Sequence, residues 1–362
     1  MVLLKNDHAL PLEPSKLRRI AVIGPNADSR EALKGNYYGD ADRYITVLEA
    51  VQDYLAGYDT EVVYSVGCAL FKDNHYSDDN QCIYEATGLV KSADVTVICL
   101  GLDDTLEGEE KHQSNVYGSG DKPDLKFPGQ QERLFREVLD AAGDKPVILV
   151  NMTGSAMDLN LAEERCAAVV QAWYPGSRGG QAVAELLFGA YSPAGRLPVT
   201  FYKTVEELPE FEDYRMTGRT YRYMKNDALY PFGYGLSYNT YRYDTVEFPY
   251  WKEGELHVKA RVTNEGTMEG DEVVQLYTIH KSPVLESPNC SLRRFKRITL
   301  EPGASQEVEF VLCEEDLMMV DNEGEKILES GEYTITVGGG QPDHRTEELT
   351  GQKVLRFSFR MP

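Results

Sequence analysis

The chain has 362 residues, too many for one ordinary core, so two or three domains are expected. Hydrophobic residues make up 42% and charged residues 27%, the proportions of an ordinary globular protein, and no apolar run approaches the roughly 20 residues that cross a bilayer. A formal net charge of −22 repels phosphate backbones and anionic lipid, which excludes nucleic-acid and membrane-surface partners, while neutral sugars meet no such barrier.

The opening stretch, with Lys5 early and Pro11 and Pro14 close behind, has no signal-peptide pattern, so the expected location is cytoplasmic rather than secreted. Short apolar runs then recur: Ile20 to Ile23, Val62 to Tyr64, Val95 to Leu100, Val147 to Val150, and Ala168 to Ala172. Each is β-branched and continuous rather than alternating, which is how strands buried on both faces read. Helical patterns lie between them. Glu132 to Ala142 carries Leu134, Phe135, Val138 and Leu139 on one face with Gly143 as a stop, and Gly180 to Phe188 carries Val183, Leu186 and Leu187. The alternation predicts a mostly parallel α/β sandwich over residues 1–200.

Residues 201–244 are rich in Tyr and Pro, have little periodicity, and read as a linker packed along the surface. Strict alternation follows. Val258, Ala260 and Val262 form one such set; Val308, Phe310 and Leu312 a second; Tyr333, Ile335 and Val337 a third; Leu355, Phe357 and Phe359 a fourth. Turn signals such as Asn264-Glu265-Gly266 and Glu301-Pro302-Gly303 separate them, so an all-β antiparallel sandwich is expected over 245–362. The six Cys show no C-x-x-C spacing and the six His no ligand-like pairing, so neither a metal nor a disulfide framework is implied. Cys99 and Cys166 read as buried thiols.

The strand Val95 to Leu100 runs into Gly101-Leu102-Asp103-Asp104-Thr105-Leu106-Glu107-Gly108-Glu109-Glu110-Lys111-His112, with five acids in eight residues. Ligands of parallel sheets bind outside the carboxyl ends of the strands, where this loop begins. Like-charge crowding raises at least one carboxyl pKa, as a general acid near neutral pH requires. The plain alternative is a solvated acidic loop. A calcium loop is a third reading, though the EF-hand pattern is absent. Trp173 at the end of a strand suits a core position better than sugar stacking. The tyrosines Tyr214, Tyr221, Tyr223, Tyr230, Tyr234 and Tyr238 suit packing between domains better than a sugar site.

Seven segments, in order, resemble the C-terminal half of glycoside hydrolase family 3. They include Gly101–Glu110 with Phe127-Pro128-Gly129-Gln130-Gln131, then Trp173-Tyr174-Pro175-Gly176, Gly195-Arg196-Leu197-Pro198-Val199-Thr200, Tyr230-Pro231-Phe232-Gly233-Tyr234-Gly235-Leu236-Ser237-Tyr238, and Gly270-Asp271-Glu272-Val273-Val274-Gln275-Leu276-Tyr277. The last implies that residues 245–362 form a fibronectin type III-like sandwich. The resemblance further implies a retaining, exo-acting β-glycosidase that hydrolyses terminal β-D-xylosides or β-D-glucosides, without a cofactor or metal. Its substrates are oligosaccharides or aryl and alkyl glycosides. The general acid/base falls at Glu109, with Glu107 and Glu110 as alternatives, and His112 is a candidate contact to sugar hydroxyls. The family's nucleophile is an Asp on a (β/α)₈ barrel, which this length does not accommodate, so a barrel domain or subunit is the implied partner and the isolated chain is expected to be inactive. Where the family continues Asp-Arg after the loop, this sequence has Lys111-His112-Gln113. That departure favours the competing reading, a non-catalytic module with a structural or interaction role.

Overall fold

A computed structural model describes residues 1–35, 38–71, 79–107, 122, 124–210 and 212–361. It divides into two compact units, Met1–Tyr191 and Ser192–Pro362.

The first unit runs β1 (Val2–Asn6), β2 (Arg19–Ile23), α1 (Val47–Leu55), β3 (Glu61–Ser65), α2 (Asp79–Ser92), β4 (Val95–Gly101), α3 (Gln131–Ala142), β5 (Val147–Met152), α4 (Asn160–Arg165), β6 (Ala168–Gln171) and α5 (Gly179–Leu187). Its strands form one sheet in the order β1-β6-β5-β4-β2-β3. The pairings from β3 through β6 are parallel, and β1 closes the far edge antiparallel to β6. The central strands β4, β5 and β6 are buried at every residue, as continuous β-branched runs predict. β3 departs from that expectation: it is an edge strand, Val62 and Val63 are half-buried, and Tyr64 is exposed.

Helix α3 turns Leu134, Phe135, Val138 and Leu139 inward and stops at Gly143, whose φ of 60° suits a residue without Cβ. Each such fully buried side chain contributes about 1.5–3 kcal/mol. Thr46 caps α1 by accepting the Glu49 N–H at 3.2 Å. Cys99 lies in β4, and Cys166 just precedes β6; both thiols are buried and free.

The second unit holds α6 (Thr220–Tyr223), β7 (Tyr241–Thr245), β8 (Tyr250–Lys252), β9 (Glu255–Asn264), β10 (Gly270–His280), β11 (Ser291–Leu300), β12 (Ser305–Leu312), β13 (Met319–Val320), β14 (Lys326–Ile327), β15 (Gly331–Gly338), α7 (His344–Thr350) and β16 (Leu355–Met361). One sheet has the order β11-β10-β15-β16, a second β12-β9-β7 with β8 also on β9, and β13 pairs β14. All these pairings are antiparallel. The inward faces match the alternation read from sequence: Val258, Ala260, Val262, Val308, Phe310, Leu312, Ile335, Val337 and Phe357 share one core. Before the sandwich, Tyr230 and Tyr234 are fully buried and stacked at 5.8 Å, while Tyr214 is 88% exposed. Tyr230 and Tyr234 are therefore core residues that an aperiodic segment concealed.

Among the described residues, no helix is long and apolar enough to cross a membrane, and no cluster of His, Cys, Asp and Glu is placed to hold a metal.

Candidate active-site loop

The order of the parallel strands reverses at β2. From there the chain steps outward to β3 and then crosses back to β4, so the crevice between the carboxyl ends of β2 and β4 is where a ligand of such a sheet is expected. The acidic loop leaves β4 at that point, and its root is fixed residue by residue.

Gly101 ends β4 with φ of 150° and packs against β5 so closely that a Cβ would lie 2.0 Å from the Met152 carbonyl oxygen. The buried amide of Gln131, the first residue of α3, grips Gly101 from both sides. Its Oε1 accepts the Gly101 N–H at 2.9 Å, and its Nε2 donates to the Gly101 carbonyl at 2.9 Å and the Leu70 carbonyl at 2.7 Å. The Gln of the Phe127-Pro128-Gly129-Gln130-Gln131 segment thus acts as a clamp on the strand end. Next, the Leu102 carbonyl accepts from Asn26 Nδ2 at 3.0 Å, Asn26 lying just after β2. Asp103, buried, accepts the Thr105 N–H at 3.0 Å and its hydroxyl at 2.6 Å, which closes a tight turn.

Glu107 is the last described residue before the acidic tip. Its Oε2 accepts the Gly154 N–H at 2.9 Å and the Tyr174 hydroxyl at 2.6 Å, and its Oε1 accepts the Ser155 hydroxyl. Gly154 follows β5 and Tyr174 follows β6, so one carboxylate ties three strand ends together. Only glycine permits this approach, because a Cβ at 154 would sit 2.9 Å from the Tyr174 ring and 3.0 Å from Glu107 Oε2. Burial and the neighbouring Glu107 carboxylate hold the Tyr174 phenol far above its ordinary pKa, so it remains a donor at any physiological pH.

At the loop's other end Lys122 returns to the same turn, donating to the Ala156 carbonyl at 2.6 Å and meeting Met157 Sδ at 3.2 Å. Burial pulls its ammonium pKa down, against the opposing pull of Glu107 and Asp124. Both flanks of the acidic segment therefore rest on the turn that succeeds β5.

The crowded acids do perturb one another. Asp104 has a raised pKa, caused first by burial, then by the carboxylates of Asp103 and Glu31, with Lys34 opposing. Trp173 is half-buried rather than a full core residue, and its φ of 62° is a left-handed conformation costing about 1–3 kcal/mol for a side chain of that size. This strained residue precedes the Tyr174 that holds Glu107. Of the residues read from sequence as site candidates, Glu107 is placed as above, while Glu109, Glu110 and His112 lie outside the described residues. Sequence reasoning gives no role to Gln131, Tyr174 or Asn26. All three stand inside segments that resemble the family, Asn26 in Ile20–Pro25 followed by Asn26-Ala27, and that resemblance is the signal that points to them; Asn26 comes just after the first parallel strand, on the other side of the crevice.

Residues 1–238 match the family model described as the glycosyl hydrolase family 3 C-terminal domain. The chain belongs to glycoside hydrolase family 3. Residues 272–341 match a fibronectin type III-like domain. A xylan 1,4-β-xylosidase of Xylanibacter ruminicola is 42% identical over 270 residues, covering 74% of this chain and 31% of its own length. A β-xylosidase of Formosa agariphila is 33% identical over 367 residues, covering 97% of this chain and 48% of its own. Among solved structures, a β-glucosidase from Erythrobacter marinus superposes with a TM-score of 0.79 at 31% identity, over 99% of this chain and 48% of that one. The family 3 chain described here thus spans half or less of the length of these relatives.

Proposed function

We propose that this chain supplies the general acid/base of a retaining, exo-acting β-glycosidase for terminal β-D-xylosides or β-D-glucosides, with Glu109 as the proton-transfer residue. The observation that carries the proposal is the anchoring of Glu107. Three donors fix the root of the loop at the carboxyl edge of the sheet, two residues before Glu109 in sequence, and a transferring carboxyl requires a fixed support of this kind. Glu107 itself is a poor candidate for proton donor, because its two oxygens are committed to the Gly154 N–H, the Ser155 hydroxyl and the Tyr174 hydroxyl. Family membership and the names of the relatives, β-xylosidases and a β-glucosidase, support the substrate class.

In this reading Glu109 protonates the departing glycosidic oxygen while an Asp on a (β/α)₈ barrel, supplied by another part of the protein or another chain, attacks the anomeric carbon. The departing alcohol leaves with that proton. The Glu109 carboxylate then removes a proton from water, which attacks the same carbon and releases the Asp, with two inversions giving overall retention. The chain alone lacks the nucleophile and is inactive.

The test is to combine the chain with a family 3 barrel and assay β-xylosides and β-glucosides. Glu109→Gln is expected to lower kcat/KM by about 10²–10⁴-fold on unactivated glycosides and far less on aryl glycosides whose leaving group needs no proton. Added azide is expected to restore turnover and yield the β-glycosyl azide. Full activity of Glu109→Gln on unactivated substrates refutes the assignment. Absence of activity in the combined parent, with both units folded, favours the non-catalytic module suggested by Lys111-His112-Gln113.

A further inference from the structure

The second unit contains a cavity of about 510 Å³ remote in sequence from the acidic loop. Its charge is unlike that of the rest of the molecule. In a chain of net charge −22, its lining carries four cations, Arg222, Arg293, Arg294 and Lys326, against three carboxylates. Two of the carboxylates are already matched by cations: Asp316 accepts both ends of the Arg294 fork at 2.8 and 2.5 Å, and Glu315 pairs with Lys326. Glu286 accepts the neutral Thr217 hydroxyl at 2.5 Å and keeps its charge.

Arg222 and Arg293 are left over. The Arg222 Nε is buried with no hydrogen-bond partner, and its guanidinium lies 5.8 Å from the centre of the Tyr223 ring, a neutral neighbour. Arg293 donates only to neutral groups, Thr278 Oγ1 at 3.0 Å and the Met318 carbonyl at 3.4 Å. Its pKa is lowered, first by burial and then by Arg222, while Asp316 opposes the change. Two like charges lining one cavity, both half-buried, destabilise a fold unless something is gained from the arrangement.

The geometry is also held in place before any ligand arrives. Asn289 fixes the backbone of α6 by donating its N–H to the Arg222 carbonyl at 2.5 Å and its side chain to the Met224 carbonyl at 2.7 Å. Tyr221 stacks on Phe232 at 4.3 Å and accepts the Leu292 N–H at 3.3 Å, which couples α6 to β11 beside Arg293. Guanidinium forks match the planar geometry of carboxylate and phosphate oxygens. The Thr278 hydroxyl accepts from Arg293 and so keeps its own proton for a further acceptor.

We propose that this cavity binds a small oxyanion between Arg222 and Arg293. The anion is either the carboxylate of an acidic monosaccharide or free phosphate. The volume favours the sugar acid, since it lies in the range of pockets that enclose small organic ligands.

The experiment is calorimetric titration of the full chain, at low ionic strength, with D-glucuronate, inorganic phosphate and neutral D-glucose. Parent, Arg222→Gln, Arg293→Gln and an exposed control, Arg178→Gln, are compared. Saturable glucuronate binding, weakened at least tenfold by Arg222→Gln and by Arg293→Gln but not by Arg178→Gln, with no binding of glucose, is the expected result. Phosphate binding tighter than glucuronate with the same dependence on both arginines assigns the site to free phosphate. Failure of both anions to saturate at millimolar concentration, equal binding of glucose, or unchanged affinity in Arg222→Gln overturns the proposal. Without ligand, Arg222→Gln is expected to melt at or above the parent temperature because one of two repelling charges is gone. A melting temperature several degrees lower shows that the Arg222 charge is compensated and overturns the proposal as well.

Discussion

Replacing Glu107 with alanine removes the shared acceptor of the Gly154 N–H, the Ser155 hydroxyl and the Tyr174 hydroxyl. A hydrogen bond to a charged group contributes about 1.5–3 kcal/mol, and an unpaired buried donor costs about 1–3. Water reaches the exposed Gly154 side of the site and recovers part of the loss, but the Tyr174 phenol stays shielded, so the expected cost is about 3 kcal/mol rather than three full bonds. Glutamine behaves differently. Its oxygen still accepts from Gly154 and Tyr174, and its amide donates to Ser155, whose hydroxyl turns to accept, so Glu107→Gln is expected to cost only about 1 kcal/mol. For a unit the size of Met1–Tyr191, each kcal/mol moves the melting temperature by about 2–4 °C, giving roughly 6–12 °C for alanine and about 2–4 °C for glutamine. Differential scanning calorimetry of the chain, following the transition of the first unit, measures both. A double-mutant cycle of Glu107→Ala with Tyr174→Phe is expected to show coupling of about 1 kcal/mol or more. If Glu107→Ala melts within about 2 °C of the parent, or the cycle is additive, the three-donor anchor does not hold the loop.

Gln131→Leu keeps the volume but leaves the Gly101 N–H and two carbonyls without the amide, and is expected to cost about 2–4 kcal/mol in urea unfolding. In the combined enzyme it is expected to lower kcat more than it raises KM. Asp104 has a folded pKa above its unfolded value, so the folded state holds more protons between the two, and stability falls as pH rises through that window from about 3.8 upward. Asp104→Asn is accordingly expected to raise the neutral-pH melting temperature and to flatten its decline between pH 4 and pH 7. In the second unit, Glu272 accepts from Arg196 at 2.7 Å and from Tyr243 at 2.6 Å with side-chain exposures of 3% and 10% for the charged pair. Glu272→Leu strands the Arg196 charge and is expected to cost about 3–5 kcal/mol, whereas the double replacement Glu272→Leu with Arg196→Met recovers most of it; calorimetry of the second transition decides.

The parts of this fold that sequence reveals are those set by local pattern. β4 and β5 are legible because a strand covered on both faces must be apolar at every position, and β9, β12 and β15 because a strand covered on one face alternates. β3 reads as buried but lies at an edge, since edge or centre is decided by partners elsewhere in the chain. α2 does not read as a helix because only Ile83, Ala86 and Val90 of its 14 residues are buried, too thin a stripe to register. β1 is invisible as a strand because its partner β6 lies at the far end of the unit. The site divides the same way. An acidic loop after a strand is a local signal, whereas the groups that hold Glu107 stand 47, 48 and 67 residues away, and no spacing rule links them.

The acids of the loop root are sorted by environment into different tasks, and this sorting bears on which of them transfers a proton. Asp103 accepts twice from Thr105 and closes a turn, so its charge is used locally. Glu107 accepts from three donors, one of them a phenol whose proton is firmly held, so its oxygens are committed to the ends of the neighbouring strands. Asp104 is pushed toward the neutral form by burial and like charges, but it sits inside the turn that Asp103 closes. A general acid needs freedom to reach a leaving group, and all three are tied into the loop root. On the proposed function their part is to hold the loop root, and Lys122 donates to the turn after β5. On the proposed function the transferring carboxyl is sought among the acids that follow Glu107 in sequence, Glu109 and Glu110. The azide-rescue experiment distinguishes them, because only the residue that activates water in the second step is replaced by a nucleophile that needs no base.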